Sequence, residues 1–383
     1  MKRGDYVNEQ AFRNEVREFL KANFPEKWRF PAHRLSLKET HDWQLKLHEK
    51  GWAAPSWPKE YGGMGLSPYE QLVFQEEFDN YGVNSAPNMG ITMLGHLLIR
   101  YGTEEQKAFY LPKILSCEIR WCQGYSEPGA GSDLAGLRTA AVLDGDHFVV
   151  NGQKIWTSYA HDADMIFLLV RTNKDVKKQE GISFLLADMK LPGITIKKIK
   201  NLTGNSEFCE VFFDNVKVPK ENIVGEINQG WTMAKSLLGA ERITIGAPKI
   251  ARFPLKLVKQ MAIDNGLFDD PVFRARYTKL TLDVDDLDAA FIRFAEVLRR
   301  GDELGPEVSM LKIWITEAAQ RVTDMLVEVG GEASVLDAPV SLSDGGSVHP
   351  ANQSFSSRPA SIYGGTNEIQ RNILAKAVLQ LPG

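Results

Sequence analysis

The period of the hydrophobic residues changes twice along this chain, and that change constrains the fold more than any other feature. From Asn8 to about Cys117 apolar residues recur at helical spacing. From Arg120 to Val224 they form short runs typical of strands, and after Gly230 the helical spacing returns. We therefore predict an α+β protein with an N-terminal helical domain, a central antiparallel β-barrel or sandwich and a C-terminal bundle of four helices. The expected domains are 1–119, 120–226 and 227–383.

Length, composition and charge exclude several classes of protein. A chain of 383 residues exceeds one ordinary core and suits two or three packed subdomains. With 43% hydrophobic and 25% charged residues it is neither disordered nor fibrous, and 45 basic against 49 acidic residues argue against nucleic acid as the main partner. No apolar run reaches membrane-spanning length, and no apolar signal segment follows Met1, so we expect a cytoplasmic protein.

Cysteine and histidine spacing indicates neither a disulfide framework nor a metal site. Cys117, Cys122 and Cys209 lack CxxC pairing and fit buried thiols in a reducing compartment. The seven histidines show neither HExxH nor another ligand spacing. The sequence also lacks GxSxG, Walker and GxGxxG motifs, which removes the common hydrolase, NTPase and Rossmann interpretations.

A loop rich in small residues joins the first helical segment to the strands. It runs from Gly124 to Asp133 and reads Gly-Tyr-Ser-Glu-Pro-Gly-Ala-Gly-Ser-Asp. Three small residues, 129–131, let the backbone approach a ligand, and Ser126 and Ser132 can bond to carbonyls or phosphates. An ordinary Pro-Gly turn between two elements explains the same residues equally well.

Glu241 lies on an apolar face of a predicted helix. Positions 231, 234, 238, 241 and 245 share that face and are Trp, Ala, Leu, Glu and Ile. Burial there would raise the pKa of the carboxyl group towards neutrality, which suits a general base. A structural ion pair with Arg242 or a neighbouring helix is the commoner role of such a residue. Pro248 predicts a kink further along the same helix.

Two further segments combine aromatic or glycine residues with hydroxyl groups. Trp156 ends a predicted strand and is followed by Thr157 and Ser158, which suits a flat heteroaromatic ring. A core tryptophan beside two solvent-facing hydroxyls is the commoner arrangement. The segment 363–371, Tyr-Gly-Gly-Thr-Asn-Glu-Ile-Gln-Arg, predicts a glycine turn leading into a helix, whose first N–H groups could hold a pyrophosphate. A plain helix cap is the alternative.

In identity and order, these segments resemble those of the acyl-CoA dehydrogenase family, from about Phe12 to Leu379. The resemblance rests on 126–133 (Ser-Glu-Pro-Gly-Ala-Gly-Ser-Asp), 152–158 (Gly-Gln-Lys-Ile-Trp-Thr-Ser) and 363–371. It implies a helical domain, a β-barrel domain and a four-helix bundle, with FAD bound between barrel and bundle. It also implies that a carboxylate removes a proton from C2 of an acyl-CoA while hydride leaves C3 for flavin N5, giving a trans-2-enoyl-CoA. Electrons would then pass to an electron-transfer flavoprotein.

The same resemblance implies roles for individual residues. Those expected to contact the flavin, through side chain or backbone, are Tyr125, Ser126, Trp156, Ser158, Thr366 and Glu368. Gly131 and Ser132 are expected to line the phosphates of the cofactor and the substrate. Arg242 follows the catalytic base in the family's pattern and is expected to contact the substrate.

The position that usually carries the catalytic glutamate is a glycine in this chain. Most members have Glu between Tyr and Gly-Thr, where Gly364 stands here. A smaller set, acting on branched or bulky chains, keeps the glutamate immediately before an arginine in the first bundle helix, which corresponds to Glu241-Arg242. The resemblance therefore implies that Glu241 is the base. Since a backbone N–H needs no side chain, we expect that of Gly364 to donate to the thioester oxygen in the transition state.

Two more departures affect the site that holds the adenine half of a neighbouring subunit's FAD. The family's Arg-x-x-Phe-Gly falls near 265–274, where this chain reads Asn-Gly-Leu-Phe-Asp-Asp-Pro from Asn265. The usual Gln-x-x-Gly-Gly becomes Val-Glu-Val-Gly-Gly from Val327. In a homotetramer every subunit would offer its neighbour a damaged adenine site. We therefore expect a second acyl-CoA dehydrogenase-like subunit in an α2β2 heterotetramer, of the kind known for steroid side chains and dicarboxylic acids such as pimelate.

Other functions stay open from the sequence. A catalytically silent subunit would leave Glu241 structural, and a flavin oxidase or monooxygenase would use the same scaffold with oxygen. A non-enzymatic CoA-ester binding protein would need neither flavin nor base. The small residues and Pro87 of segment 83–91 suggest a roomy pocket floor for a bulky acyl group, with a tightly packed helix start as the alternative.

Overall fold

The computed structural model of the protein describes residues 4–30, 35–84, 86, 88–240, 246–336 and 338–382. Glu241 and Arg242, the expected base and its neighbour, lie outside the described residues, as do Ser85 and Pro87 of the expected pocket floor. Two compact units make up the chain: unit one is Met1–Leu237 and unit two is Leu238–Gly383.

Helices form the first part of unit one, as the periodicity predicts. α1 spans Gly4–Asn23, α2 His41–Lys50, α3 Pro68–Tyr81, α4 Gly95–Tyr101 and α5 Glu104–Leu115. A π-helical turn, Gly90–Leu94, leads directly into α4. Aromatic side chains pack this part: the rings of Phe24 and Trp43 meet edge to face at 5.1 Å, and those of Phe74 and Phe78 lie 4.4 Å apart.

Side-chain caps set where α3 and α5 begin. Ser67 Oγ accepts from the Glu70 N–H at 3.3 Å, and the Glu70 carboxylate accepts from the Ser67 N–H at 2.8 Å. Thr103 and Gln106 exchange the same two bonds at 3.2 Å. The sequence predicts an N-cap at Ser67, followed by Pro68 in the first turn, and a capping box at Thr103-Glu104-Glu105-Gln106. The structure confirms both. Asn88 Oδ1 accepts from two N–H groups of the π-helical turn, which matches the helix-start interpretation of segment 83–91.

Within residues 120–230, which the structure describes throughout, eight strands form one sheet. They are β1 Trp121–Gly124, β2 Ala140–Asp144, β3 His147–Ser158, β4 Met165–Arg171, β5 Ile182–Asp188, β6 Ile194–Ile199, β7 Phe208–Pro219 and β8 Ile223–Val224. The order is β6-β7-β3-β2-β4-β5-β8, with β1 also on β4. Most pairs are antiparallel, as predicted, but β1 and β2 each meet β4 in parallel. Because β6 and β8 end this order, hydrogen bonds within 120–230 do not close the expected barrel.

The centre of the sheet is buried on both faces. Alternate residues of β4, such as Phe167 and Leu169, pack towards the helices of unit one. Their neighbours Ile166 and Leu168 pack on the other side, against the inward residues of β3 and β7. This double burial explains why β4 and β5 are continuous apolar runs rather than alternating ones.

Helices also dominate the C-terminal part of the chain. α6 spans Gly230–Ala240, α7 Lys249–Asp264, α8 Pro271–Arg299, α9 Ser309–Gly330, α10 Pro350–Ser357 and α11 Asn367–Ile373, which a π-helical turn at Leu374–Val378 extends. α9 packs against α7, α8, α10 and α11 and so forms the centre of the predicted bundle. Pro248, the expected kink, is the N-cap of α7.

The Ser, Gly and Pro residues of segment 332–359 predict one long loop before the last helix. The described part of this segment instead contains regular structure. A short hairpin, β9 Val340–Ser341 with β10 Ser347–Val348, precedes α10. Ser343 ties this hairpin to the end of α7, because its N–H and hydroxyl donate to Asp264 at 3.0 and 2.5 Å. The loop prediction is wrong because Ser, Gly and Pro, taken as loop signals, also occupy hairpin turns and first helical positions.

Neither a membrane-spanning helix nor a metal-ligand cluster is present among the described residues. No helix there is long and apolar enough to cross a membrane. No three His, Cys, Asp or Glu side chains in those ranges cluster so that they could hold a metal ion. Cys117, Cys122 and Cys209 are buried free thiols, as predicted.

Candidate active site

The loop 124–133 leaves the end of β1 and folds into a tight turn. Glu127 and Ala130 exchange both backbone hydrogen bonds, at 3.1 and 3.0 Å. Residues 128–129 therefore form an exposed tip, while Tyr125 is buried beneath it among the aromatic rings of β4 and β5. The Pro-Gly turn considered from the sequence is present, and it does not exclude a ligand role for the loop.

A buried ion pair holds this loop from below. Lys154, fully buried, donates to Glu127 Oε1 at 2.8 Å and to the Tyr125 carbonyl at 3.0 Å. The Glu127 carboxylate also accepts from the N–H groups of Arg138 and Thr139, at 2.6 and 2.9 Å. Four hydrogen bonds thus tie the loop to β3 and to the segment that precedes β2.

Burial disfavours the charged forms of Lys154 and Glu127, whereas the attraction between the two charges favours them. Burial lowers the pKa of Lys154 to about 8, although the Glu127 carboxylate opposes that change. Burial also disfavours the charged form of Glu127, but Lys154 and the backbone donors outweigh it and hold the pKa of Glu127 below its ordinary value. At neutral pH both groups are charged and paired.

Sequence reasoning missed this pair, although a signal was present. Lys154 shares the inward face of β3 with Phe148 and Val150. A lysine on a buried strand face requires an acceptor, because an unpaired charge there is costly. Glu127, within the loop already singled out, is the acid that meets this need.

β3 carries one extra residue beside Trp156. Lys154 lies opposite Val211 and Thr157 opposite Cys209, so three steps on β3 match two on β7 and form a bulge. Trp156 adopts a φ of +60°, the left-handed region that bulky residues rarely enter. Trp156 is 58% exposed, and its ring lies nearly perpendicular to that of Phe208, with the ring centroids 6.2 Å apart. The bulge thus turns a large flat ring outwards, at a cost in backbone strain typical of functional sites.

The structure brings the first two expected flavin segments together. The Ile155 N–H donates to the Ser126 carbonyl at 2.9 Å, next to the bonds from Lys154. Ser158, half-buried, lies two residues beyond Trp156 on the same strand. We call the surface formed by residues 125–127 and 154–158 the indole platform.

The indole platform suits one face of a flat heteroaromatic cofactor. It offers an exposed aromatic ring, a nearby hydroxyl and a backbone fixed by buried bonds. Gly131 and Ser132 are exposed further along the loop. A Cβ placed at Gly131 would meet nothing within 4 Å, so the backbone there is open to the approach of a phosphate group.

The glycine turn and helix predicted for 363–371 are present in unit two. Gly364 and Gly365 have φ of +64° and +80°, which glycine adopts at little steric cost. Thr366 Oγ1 accepts from the Ile369 N–H at 3.2 Å and caps α11, so the helix-cap interpretation describes its side chain. Glu368 is exposed in the first turn, where hydrogen bonds to the backbone and to Thr366 lower its pKa.

Domain models of one family match the chain in succession. The acyl-CoA dehydrogenase N-terminal domain matches residues 7–118, the middle domain 122–216 and the C-terminal domain 228–379. The chain therefore belongs to the acyl-CoA dehydrogenase family, whose enzymes use FAD. The expected fold class and cofactor are confirmed.

Several curated and solved proteins are similar to this chain over its length. It is 35% identical to acyl-CoA dehydrogenase IpdE1 of Mycobacterium tuberculosis over 356 residues, covering 91% of this chain and 89% of that protein. It is 31% identical to the solved Tcur3481-Tcur3483 steroid ACAD, with a TM-score of 0.87 and 100% of both chains covered. The ChsE4-ChsE5 complex from Mycobacterium tuberculosis gives 31% identity, a TM-score of 0.85 and the same coverage.

Proposed function

We propose that this chain catalyses the α,β-dehydrogenation of an acyl-CoA thioester to a trans-2-enoyl-CoA. The observation that carries the proposal is the indole platform, an exposed Trp156 turned outwards by a strained bulge and anchored to a glycine-rich loop. Residues proposed to contact FAD are Tyr125, Ser126, Gly131, Ser132, Trp156, Ser158, Thr366 and Glu368. The Tyr125 carbonyl is already bonded to Lys154, so its backbone would contribute through the N–H.

Glu241 is the proposed base for the C2 proton of the substrate. The sequence predicts that this carboxylate lies on an apolar helix face, where burial would disfavour its charged form and so raise its affinity for a proton. FAD, when bound, supplies the acceptor for the hydride that leaves C3. The Gly364 N–H is proposed to donate to the thioester oxygen as negative charge develops there. Arg242 and Ser132 are proposed to contact the substrate.

The proposed substrate carries a bulky, steroid-derived acyl group. The Tcur3481-Tcur3483 protein is described as a steroid ACAD, and it matches this chain from end to end. The shift of the glutamate from position 364 to Glu241 is also the pattern of members that act on bulky chains. A dicarboxylic acyl group is the second substrate class. The intact indole platform argues against a silent subunit, which would not need to present Trp156.

The proposed partner is a second acyl-CoA dehydrogenase-like subunit in an α2β2 heterotetramer. Two observations on unit two support it. Asn265 Nδ2 donates to the Val329 carbonyl at 2.9 Å, so the two departures from the family's adenine half-site lie side by side. The carboxylates of Asp269, Asp270 and Glu332 are exposed and lie within five residues of Asn265 or Val329 in the sequence, where they would repel an anionic dinucleotide. An electron-transfer flavoprotein is the proposed acceptor.

Two features of the whole chain belong with this proposal. We propose three functional domains, 1–119, 120–226 and 227–383, of which the first two pack within unit one. We also propose a cytoplasmic location, which the three buried free thiols support.

The role of Glu241 is tested by anaerobic bleaching of the flavin in the co-expressed complex. Acyl-CoA esters with short, long, dicarboxylic and steroid side chains are compared, and the steroid class is expected to bleach fastest. Glu241→Gln should retain FAD but abolish bleaching, because an amide cannot accept the proton. Glu303→Gln, an exposed carboxylate in unit two, serves as the control. Bleaching that survives in Glu241→Gln would remove Glu241 as the base.

The partner is tested by the FAD content of purified proteins. This chain alone should retain FAD weakly, and the complex should hold about one FAD per two chains. Restoring the half-site with Asn265→Arg and Val327→Gln should raise retention by the chain alone, whereas Leu282→Gln on an exposed face of α8 should not. A homotetramer of this chain with four tightly bound FADs would contradict the proposed partner.

A further inference from the structure

A buried lysine lies directly beneath the glycine turn of unit two. Lys312 on α9 is 2% exposed, between the fully buried side chains of Leu311 and Ile315. Its ammonium group donates to the Tyr363 carbonyl at 2.7 Å and also to the Gly365 carbonyl. These two carbonyls flank Gly364, 51 and 53 residues further along the chain from Lys312. The mechanism proposed above assigns Lys312 no role.

The two bonds determine which way the Gly364 N–H points. In a trans peptide the C=O and the N–H of one unit point in opposite directions. The 363–364 peptide is trans, and its carbonyl is turned inwards to Lys312. The N–H of Gly364 is therefore directed away from α9, towards the exposed side of the turn.

A second contact fixes the turn from the same helix. Asn367, 3% exposed, donates to Thr316 Oγ1 at 3.0 Å, and Thr316 lies one helical turn after Lys312. α9 therefore holds both the glycine turn and the first residue of α11. Two attachment points restrict a segment whose glycines would otherwise leave its backbone free to adopt many conformations.

The charge on Lys312 also affects the donor strength of the turn. A cation bonded to the carbonyl end of a peptide polarises that peptide, which makes its N–H a stronger hydrogen-bond donor. Burial opposes the positive charge of Lys312, and the carboxylate of Glu368, in the first turn of α11, favours it. An N–H donor that meets developing negative charge gains most from such polarisation.

We propose that Lys312 is a positioning residue, which orients and polarises the Gly364 N–H for the carbonyl oxygen of the acyl-CoA thioester. The inference rests on the proposed function and deepens it. It explains why position 364 can be a glycine, because the donor is the backbone N–H, which needs no side chain. The ammonium group of Lys312 holds that N–H in place through the neighbouring carbonyls. The proposed base, Glu241, is then a different residue from the one at position 364.

Lys312→Met tests the proposal, because methionine keeps much of the buried volume but donates no hydrogen bond. Lys259→Met, an exposed lysine on α7, is the matched control. In the FAD-loaded complex we expect Lys312→Met to lower kcat by about 10²–10³-fold, the range for loss of one oxyanion donor, with a smaller change in KM. Lys259→Met should keep wild-type kcat.

A pair of CoA ligands separates orientation of the donor from general damage. One is an enoyl-CoA thioester, and the other is the thioether in which CH₂ replaces the carbonyl. Lys312→Met should weaken binding of the thioester at least tenfold and leave the affinity for the thioether unchanged. Equal losses for both ligands, or no loss for either, would overturn the proposal. Circular dichroism and FAD content establish that the variant is folded.

A second variant covers the case in which Lys312→Met does not yield a folded complex. Lys312→Gln is shorter and can bond one of the two carbonyls, so it should lose part of the preference for the thioester. An unchanged preference would again overturn the proposal. Absence of flavin bleaching by every acyl-CoA in the wild-type complex would reject the proposed function itself. Bleaching in wild type with normal kcat and thioester affinity in the variants would reject only the role of Lys312.

Discussion

Replacing Glu127 with glutamine removes one charge from the buried pair beneath loop 124–133 while keeping the shape of the side chain. In the native protein the carboxylate accepts three hydrogen bonds, from Lys154 and from the N–H groups of Arg138 and Thr139. The amide keeps one oxygen for Lys154 and Thr139, but its NH₂ group then faces the Arg138 N–H, which is also a donor. Lys154 is left buried without a counter-charge, so it must either stay an unpaired buried cation or give up its proton.

The structure allows the expected loss of stability to be estimated. Removing one partner of a buried ion pair costs about 3–5 kcal/mol, because the remaining charge stays buried. Lys154→Met should cost about 2–3 kcal/mol, since Glu127 keeps two backbone donors but the Tyr125 carbonyl loses its bond. The double variant should cost less than the sum, with a coupling of about 2 kcal/mol, because it removes both charges.

Urea-induced unfolding at fixed protein and FAD concentrations measures these differences, since bound ligand and partner contribute to apparent stability. Glu210→Gln is the control: Glu210 lies on β7 and bonds the Gln153 side chain at 2.9 Å, partly exposed. It should cost less than about 1 kcal/mol. A cost below about 1 kcal/mol for Glu127→Gln, or strictly additive single losses, would refute the assignment of a tightly coupled pair.

The same variants carry a pH test whose sign follows from the pKa of Glu127. That pKa lies below its unfolded value of about 4.5, so the unfolded chain binds the proton first as pH falls. The stability that the carboxylate contributes is therefore complete above pH 4.5 and is lost as pH falls through the folded pKa. The difference between wild type and Glu127→Gln should shrink over that acid range. A difference independent of pH from 7 to 3 would contradict the charged state of Glu127.

Two further predictions concern Trp156 and Lys312. The free energy of unfolding of Trp156→Gly should be about 1 kcal/mol higher than that of Trp156→Ala, because a φ of +60° penalises any residue with a Cβ. Both variants should lose FAD retention. Equal stability of the two variants would contradict backbone strain at this bulge. Burial lowers the pKa of Lys312 to about 8 against an ordinary 10.5, with Glu368 opposing. Between pH 8 and pH 10.5 this lysine is therefore protonated in the unfolded chain more than in the folded one, so stability rises with pH. In denaturant titrations, the free energy of unfolding of wild type relative to Lys312→Met should rise over that range. A flat or falling difference would contradict the lowered pKa.

The sequence by itself determined the features that depend on neighbouring residues. The change in hydrophobic period predicted helices, strands and helices in the right order, since each pattern reflects which face of one element is buried. Capping at Ser67 and Thr103 was predictable because a cap involves residues three apart. The glycine turn before α11 was predictable for the same reason. The family resemblance, together with Gly364 in place of a glutamate, led to Glu241 as the proposed base, which stays a prediction.

Only the tertiary structure decided the contacts between distant parts of the chain. Lys154 meets Glu127 across 27 residues, and Lys312 meets the glycine turn across more than 50. No local pattern specifies which buried lysine finds which acceptor, because that depends on how strands and helices pack.

The register of β3 on β7 is likewise a property of two strands, and it places the bulge that turns Trp156 outwards. From the sequence alone, a core position for Trp156 was the commoner expectation. Local sequence therefore indicated which segments are candidates for cofactor binding. Packing between distant segments decided how the backbones of these segments are held, because the hydrogen bonds of Lys154 and Lys312 join residues that are close only in the folded chain.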